Sequence, residues 1–411
     1  MTAEKAETAW RDDLYRLLGD ALEDFLRFDS PDPVTRRNEW ETALDIPMPE
    51  QGVGIEQTVD ELCHHIVPNG SQVSKPGFTS FVTTGTSTIG ALTTLAGTVA
   101  SPQRFSLTPF NLLEEQSLRW LAELCGLDPS MPGIYSSGGS IANMLAVGAA
   151  RQYAFERQGH DPAAHGINRE VSLFASSHTH HTIKRAAGVL GLGRSSVISI
   201  DCDNQGRMQP AALATAIDES NRAKRVPIAI IGNAGTTNAG AIDDLRALGE
   251  LAAQHNIWFH VDGAYGLPGI LDPRISPLYD GITLADSVIV DPHKWLGAPT
   301  GIGATFVRDR DLLYRAFTQE PADYLQTAFD FDQVGHSLDN PGHHYSDHGV
   351  ELSAPSRGIT VWGLLREIGR DGMRDRIMRH NDMAQRVAER ARTEPGLELL
   401  MQPTLSICCF R

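Results

Sequence analysis

The sequence is short of cysteine, short of aromatic residues and short of positive charge. Its five cysteines, Cys63, Cys125, Cys202, Cys408 and Cys409, form no CxxC pair and no regular framework in 411 residues. That excludes a disulfide scaffold, and the odd, scattered set predicts a reducing, cytoplasmic setting. Lys and Arg number 35 against 51 Asp and Glu, a formal net charge of −16. Neutralising phosphates needs a basic surface, so no nucleic-acid partner is expected. No apolar run is long enough to span a bilayer as a helix, so no membrane partner is expected either. The N-terminus, MTAEKAETAWRDDLYRLLGD, is charged and amphipathic rather than a signal peptide. No GxGxxG opens a first βαβ unit, which ranks a nicotinamide-binding Rossmann enzyme last.

What is present alternates helical with strand patterns over a length sufficient for more than one domain, so an α/β fold is expected. Trp10, Leu14, Leu17, Leu18, Leu22 and Phe25 recur at helical spacing, and a second helix is expected over Ile55–Ile66. Residues 1–75 are therefore read as an N-terminal helical segment that packs on the core or on a second subunit. Residues 76–317 are read as the large domain, 318–353 as a polar, His-rich lid-like loop, and 354–411 as a small C-terminal domain.

The stretch from Ile257 to Gly303 organises the chain. Two short apolar runs, Ile257–Val261 and Ser287–Val290, read as buried strands. Asp262 ends the first; Asp291, His293 and Lys294 follow the second. Ligands of open α/β sheets sit outside the carboxyl ends of such strands. If the extended run continues, Asp262 and Ala264 share a face, which suits a planar, cationic ligand. Trp295 and Leu296 frame Lys294 with apolar surface, and desolvation lowers an amine's pKa as a Schiff-base lysine requires.

Other segments carry weaker signals. SSGGSIAN places Gly138, Gly139 and Ser140 at a turn that opens a helix, a cradle for an anion or an ordinary cap. His178, His180 and His181 match no zinc spacing, so no metal is expected. Thr236 or Thr237 lies in a Gly/Thr/Asn loop, and Asp243 and Asp244 read as helix-capping acids. Phe78, Phe81, Val82 and Thr84 belong to a Thr-, Gly- and Phe-rich stretch that is either core or pocket. His343 and His344 read as solvated loop residues.

HVDGAYG followed by DPHKW resembles the group II pyridoxal-phosphate-dependent decarboxylases, which include aromatic amino-acid and glutamate decarboxylases. SSGGSIAN, HHTIKRAA and GTTNAGAIDD resemble further motifs of the same family. The resemblance implies fold type I, with a mainly parallel sheet, and a small C-terminal domain that looks incomplete because the sequence stops in a strand-like run. It implies pyridoxal 5′-phosphate held by Lys294 as a Schiff base, with Asp262 on the pyridine nitrogen. His180 and Ala264 would cover the two ring faces, and Gly139, Ser140 and His293 would hold the phosphate. Thr237 is favoured over Thr236 for the phenolic oxygen. Asp291 stands where several relatives have Asn, so it would act through its backbone or by orienting His293.

The implied reaction is decarboxylation of an L-amino acid to an amine by a homodimer. Phe78, Phe81, Thr84 and Phe105 would line the substrate pocket and favour an aromatic side chain. Arg104 or Arg357 would serve an acidic one, and the family's extra arginine is replaced by Ala354. Counting back without a gap from Trp362, Tyr345 falls at the position of a lid tyrosine that protonates Cα. The alternatives are an aldehyde synthase or carbon–carbon lyase on the same fold, or a cofactor-free binding protein.

Overall fold

The computed structural model describes residues 3–29, 37–101, 109–318 and 345–411. The chain divides into two units, 1–88 and 89–411. In the first, helices α1 (Ala3–Leu26), α2 (Arg37–Leu44) and α3 (Ile55–Glu61) are followed by a π-helical turn at Leu62–Ile66 that buries Cys63. Lys75 ties this unit together by donating to the Arg27 carbonyl at 2.9 Å and to Asp29 Oδ1 at 2.8 Å. The Phe78 and Phe81 rings stand 6.2 Å apart. Phe81 is exposed at a positive φ of 61°, and Thr84 is half-buried.

The second unit follows the alternation read in the sequence. Its helices are α4 (Thr88–Ala100), α5 (Pro109–Leu124), α6 (Gly139–Glu156), α7 (Pro162–His165), α8 (Thr182–Val189), α9 (Pro210–Arg222), α10 (Leu245–His255), α11 (Arg310–Phe317) and α12 (Gly358–Thr393). Seven strands form one sheet: β1 (Gly133–Ser136), β2 (Val171–Ser176), β3 (Val197–Ile200), β4 (Val226–Asn233), β5 (Trp258–Asp262), β6 (Ser287–Val290) and β7 (Gly303–Val307). Their order is β1-β7-β6-β5-β4-β2-β3, parallel except where β7 pairs with β6 and with β1. β8 (Leu399–Met401) and β9 (Cys409–Phe410) form a separate antiparallel pair.

The central strands are near-continuous apolar runs because helices cover both faces of a parallel sheet. In β4, Ile228, Ala229, Ile230 and Ile231 are fully buried. α6 lies against β1 and β4–β7. It is rich in small residues, Ala142, Ala146, Gly148, Ala149 and Ala150 among them, and every residue from Ala142 to Ala150 is buried. The polar groups of the site then cluster where β4, β5 and β6 end together. Asn233 is in register with Asp262, and Asp262 with Ile289.

One local expectation is corrected. Asp244 is the N-cap of α10 and accepts from the Ala247 N–H at 3.0 Å. Asp243 does not cap. It is buried and accepts from Met208 N–H at 2.6 Å, Asn233 N–H at 2.7 Å and Asn233 Nδ2 at 2.9 Å. A buried carboxylate needs such donors, and burial still raises its pKa.

Candidate active site

Asp262 closes β5 and is only 7% exposed. Its Oδ1 accepts from the Ala264 N–H at 3.1 Å and its Oδ2 from Asn143 Nδ2 at 3.0 Å. The strand therefore does not continue to Ala264: the chain turns at Gly263, and Ala264 hydrogen-bonds back to the aspartate. A Cβ on Gly263 would stand 2.6 Å from Leu267 Cβ and 2.9 Å from the Ile289 carbonyl oxygen, so the turn needs glycine. Ala264 sits in a buried cluster with Ala142, Ala146 and Ile289, between α6 and the sheet.

Lys294 follows β6 in a turn closed by its N–H on the Asp291 carbonyl at 2.9 Å. Its Nζ lies 3.2 Å from Asp291 Oδ2, with the lysine side chain 23% exposed and the aspartate 1%. Trp295 and Leu296 are buried, which gives the apolar frame that was expected. α12 secures that frame: Trp295 Nε1 donates to His380 Nδ1 at 3.0 Å, and Arg376 Nη1 donates to the Leu296 carbonyl at 2.9 Å.

The glycine turn opens α6 directly beside this pair. Gly138 has φ 122°, and the Gly139 N–H donates to Asp291 Oδ2 at 3.0 Å. A Cβ on Gly303 would stand 2.7 Å from both Asp291 Oδ1 and the Gly138 backbone, so cradle and strand meet without room for a side chain. The Asp291 side chain thus reaches Gly139 and Lys294 rather than His293. His293 Nδ1–H donates to the Ile302 carbonyl at 2.6 Å and its ring packs on Gly138. Asp291 Oδ1 is buried without a hydrogen-bond partner. Burial raises the Asp291 pKa against the pull of Lys294 and His293.

His180 stands on the loop between β2 and α8, half-buried, with Nδ1 3.0 Å from Thr182 Oγ1 and its ring 4.1 Å from that of His181. Burial lowers its pKa, helped by His181, Lys294 and Arg185 and opposed by Asp262. Among the described residues no cluster of His, Cys, Asp or Glu could hold a metal ion.

The other expected residues are placed as follows. The Thr236 hydroxyl accepts from the Ala241 N–H at 3.1 Å and so serves its own loop, whereas Thr237 is exposed. Arg357 is buried, with Glu351 on both Nη atoms at 2.8 and 3.0 Å and the Gly301 carbonyl on Nε at 3.0 Å. Tyr345 is buried, and its hydroxyl donates to Glu115 Oε1 at 2.8 Å. Phe78, Phe81 and Thr84 belong to the first unit. Arg104, Phe105, His343 and His344 lie outside the described residues.

The sequence reading missed a buried polar relay. Trp258 Nε1 donates to Ser287 Oγ at 2.8 Å, Ser287 Oγ lies 2.9 Å from His260 Nδ1, and His260 Nε2 lies 2.9 Å from Asn143 Oδ1. Asn143 then reaches Asp262. The one signal was a histidine in the middle of an apolar strand, WFHVD, since a buried polar group needs partners.

Two carboxylates and a lysine at the ends of adjacent parallel strands, facing a glycine-opened helix, define a pyridoxal-phosphate-dependent enzyme of fold type I. The donor set fits the cofactor: Asp262 offers a buried carboxylate to a ring N–H, Lys294 an amine, and α6 its N-terminus to a phosphate. Comparison with known proteins gives the family. The chain belongs to the pyridoxal-dependent decarboxylases: the conserved domain of that family matches residues 39–411. The aromatic-L-amino-acid decarboxylase of Bacillus atrophaeus is 29% identical over 89% of this chain and 73% of that protein. The L-2,4-diaminobutyrate decarboxylase of Rhizobium meliloti (strain 1021) is 31% identical over 89% of this chain and 70% of that one. The crystal structure of mouse CSAD superposes with a TM-score of 0.86 at 27% identity, covering 99% of this chain and 84% of that one. The chain is a pyridoxal-phosphate-dependent carboxy-lyase of that family, and no described helix is long and apolar enough to cross a membrane.

The relay carries a pH signature. Burial pushes the His260 pKa down from 6.5 to about 4. The unfolded chain therefore binds a proton that the folded protein refuses in that window, and stability falls as pH drops through it. From about pH 7 to about pH 4.5, wild type is expected to lose roughly 2–3 kcal/mol more unfolding free energy than His260→Gln, measured by urea titration. Parallel pH dependences in the two proteins would contradict a neutral His260.

Proposed function

We propose that the chain decarboxylates an L-amino acid with an aromatic side chain to its amine, and that Lys294, Asp262 and His180 carry the reaction. The observation that supports this most is the Lys294–Asp291 contact at 3.2 Å beside the Gly139 amide. It brings the amine and the anion cradle together on one side of the sheet. Bound there, pyridoxal phosphate supplies an electron sink for the bond that breaks at Cα.

The residues have separate tasks in this reading. Lys294 would hold the cofactor and, released by substrate, would keep an amine able to move protons at Cα. The Asp262 carboxylate would keep a ring nitrogen protonated, because a nearby negative charge favours the charged form. Ser140, the α6 N-terminus and His293 would meet the phosphate, and Thr237 the phenolic oxygen. Ala264 would lie under the ring and His180 over it, where it would also hold the substrate carboxylate. Asp291 would meet the anion cradle only through the Gly139 amide and Lys294, which its Oδ2 already contacts.

An aromatic substrate is favoured by what a candidate cation is doing. Arg357 is already neutralised by Glu351, so it offers no free charge to an acidic side chain. Phe78, Phe81, Thr84 and Phe105 stay with this proposal as pocket residues. A homodimer and a cytoplasmic setting belong to it as well, supported by the exposed Leu92, Leu95 and Val99 on α4 and by the unpaired cysteines.

Purified protein supplied with pyridoxal phosphate is expected to release CO2 from aromatic L-amino acids at least tenfold faster than from glutamate or diaminobutyrate. It should show a visible absorption band that borohydride abolishes and that Lys294→Ala lacks. A preference for an acidic substrate would overturn the substrate assignment; a band retained in Lys294→Ala would overturn the role of the lysine.

Tyr345 is better read as a packing residue than as the acid at Cα. Its hydroxyl is committed to Glu115, and burial drives its pKa far up. Tyr345→Phe is therefore expected to leave the ratio of amine to aldehyde unchanged by chromatography of the products. A rise in aldehyde would restore Tyr345 as the proton donor.

A further inference from the structure

Asn143 sits one turn into α6 and touches both polar ends of the site. Its Nδ2 donates to Asp262 Oδ2 and to Thr182 Oγ1, each at 3.0 Å, and its Oδ1 faces His260 Nε2 at 2.9 Å. It is 1% exposed, so these partners stand in for water.

One polarity satisfies every bond in this chain. Trp258 Nε1 can only donate, so Ser287 Oγ accepts from it, and a Ser287 hydroxyl proton turned to His260 Nδ1 gives that nitrogen its partner. His260 then carries its proton on Nε2 and donates to Asn143 Oδ1. That fixes the amide the other way up, with both Nδ2 protons directed at Asp262 and Thr182. In the same arrangement Thr182 Oγ1 accepts from Asn143 and its hydroxyl proton goes to His180 Nδ1 at 3.0 Å. Neutral His180 is thereby left with its proton on Nε2.

We infer that Asn143 is a positioning residue that sets the proton arrangement at both ends of the site. It turns an N–H to the Asp262 carboxylate and so orients it, and through Thr182 it fixes His180 as the Nε2–H tautomer. A histidine in that tautomer offers an N–H to a substrate carboxylate instead of a lone pair that would repel it. The inference rests on the proposed roles of Asp262 and His180 and adds what orients the one and sets the tautomer of the other. The groups acting on His180 are His181 and Arg185 on its own segment, Lys294 after β6, and Asp262 at the end of β5. Asn233 Nδ2 holds the same loop from β4 through Thr179 Oγ1 at 3.0 Å. None of these can replace the Thr182 hydroxyl at Nδ1.

The two branches separate in experiment. Thr182→Val removes the link to His180 and leaves the Asn143–Asp262 bond. It is expected to keep the Kd for pyridoxal phosphate within about twofold, read from visible absorbance. It should lower kcat/KM about tenfold, the scale of one lost hydrogen bond to a charged or reacting group, and shift the acid limb of the pH profile. Thr182→Ser should restore both. Asn143→Leu leaves Asp262 Oδ2 without its donor and is expected to weaken cofactor binding tenfold or more. A wild-type pH profile in Thr182→Val, a Thr182→Ser protein as impaired as Thr182→Val, or wild-type cofactor affinity in a folded Asn143→Leu would each overturn the inference. If Asn143→Leu does not fold, the Thr182 pair decides alone. His180→Gln and Asp262→Asn separate the two levels: wild-type behaviour in these would overturn the site reading itself, and the inference with it.

Discussion

The structure depends on burying carboxylates at the ends of parallel strands. A carboxylate taken out of water is costly unless donors and a cation replace the lost solvation. Asp262 is met by a backbone N–H and an asparagine amide, Asp291 by a helix-terminal N–H and Lys294. The parallel sheet makes this possible, because it brings β4, β5 and β6 to one rim and leaves the opening of α6 facing them. Everything else in the site is arranged around those two acids, including the turn at Gly263 and the side-chain-free contact at Gly303.

The two acids are not equivalent. Asp262 has only neutral donors and a neutral relay behind it, so its charge is available to an incoming ring cation. Asp291 shares the lysine, keeps one oxygen without a partner and is held above the usual carboxylate range by burial. Two neighbouring carboxyls in such different surroundings are free to take different tasks in one site. The −16 charge of the chain plays no part in this; the local partners are Lys294 for Asp291 and Asn143 for Asp262.

Local patterning made the sheet and its rim legible. The apolar runs at Ile257–Val261 and Ser287–Val290 became β5 and β6, and the residues following them met as strand-end geometry requires. Two local readings failed for the same reason, a change of backbone direction that alternation does not encode. Ala264 was placed on the face of Asp262, but Gly263 turns the chain. Asp243 was read as a cap, but α10 begins one residue later and leaves it facing inward. The relay from Trp258 to His180 was not legible, since His260 and Asn143 lie 117 residues apart. No periodicity links residues on a strand to one on a helix packed across it. What the sequence showed was only the anomaly, a histidine among valine and phenylalanine.

The central claim is that Lys294 is the residue that holds pyridoxal phosphate. Its most direct test is borohydride reduction of the cofactor-loaded protein, followed by digestion and mass mapping. The account predicts one pyridoxyl-phosphate adduct, on the peptide carrying Lys294 and on that lysine. An adduct on another lysine, or no adduct with the cofactor bound, would contradict it.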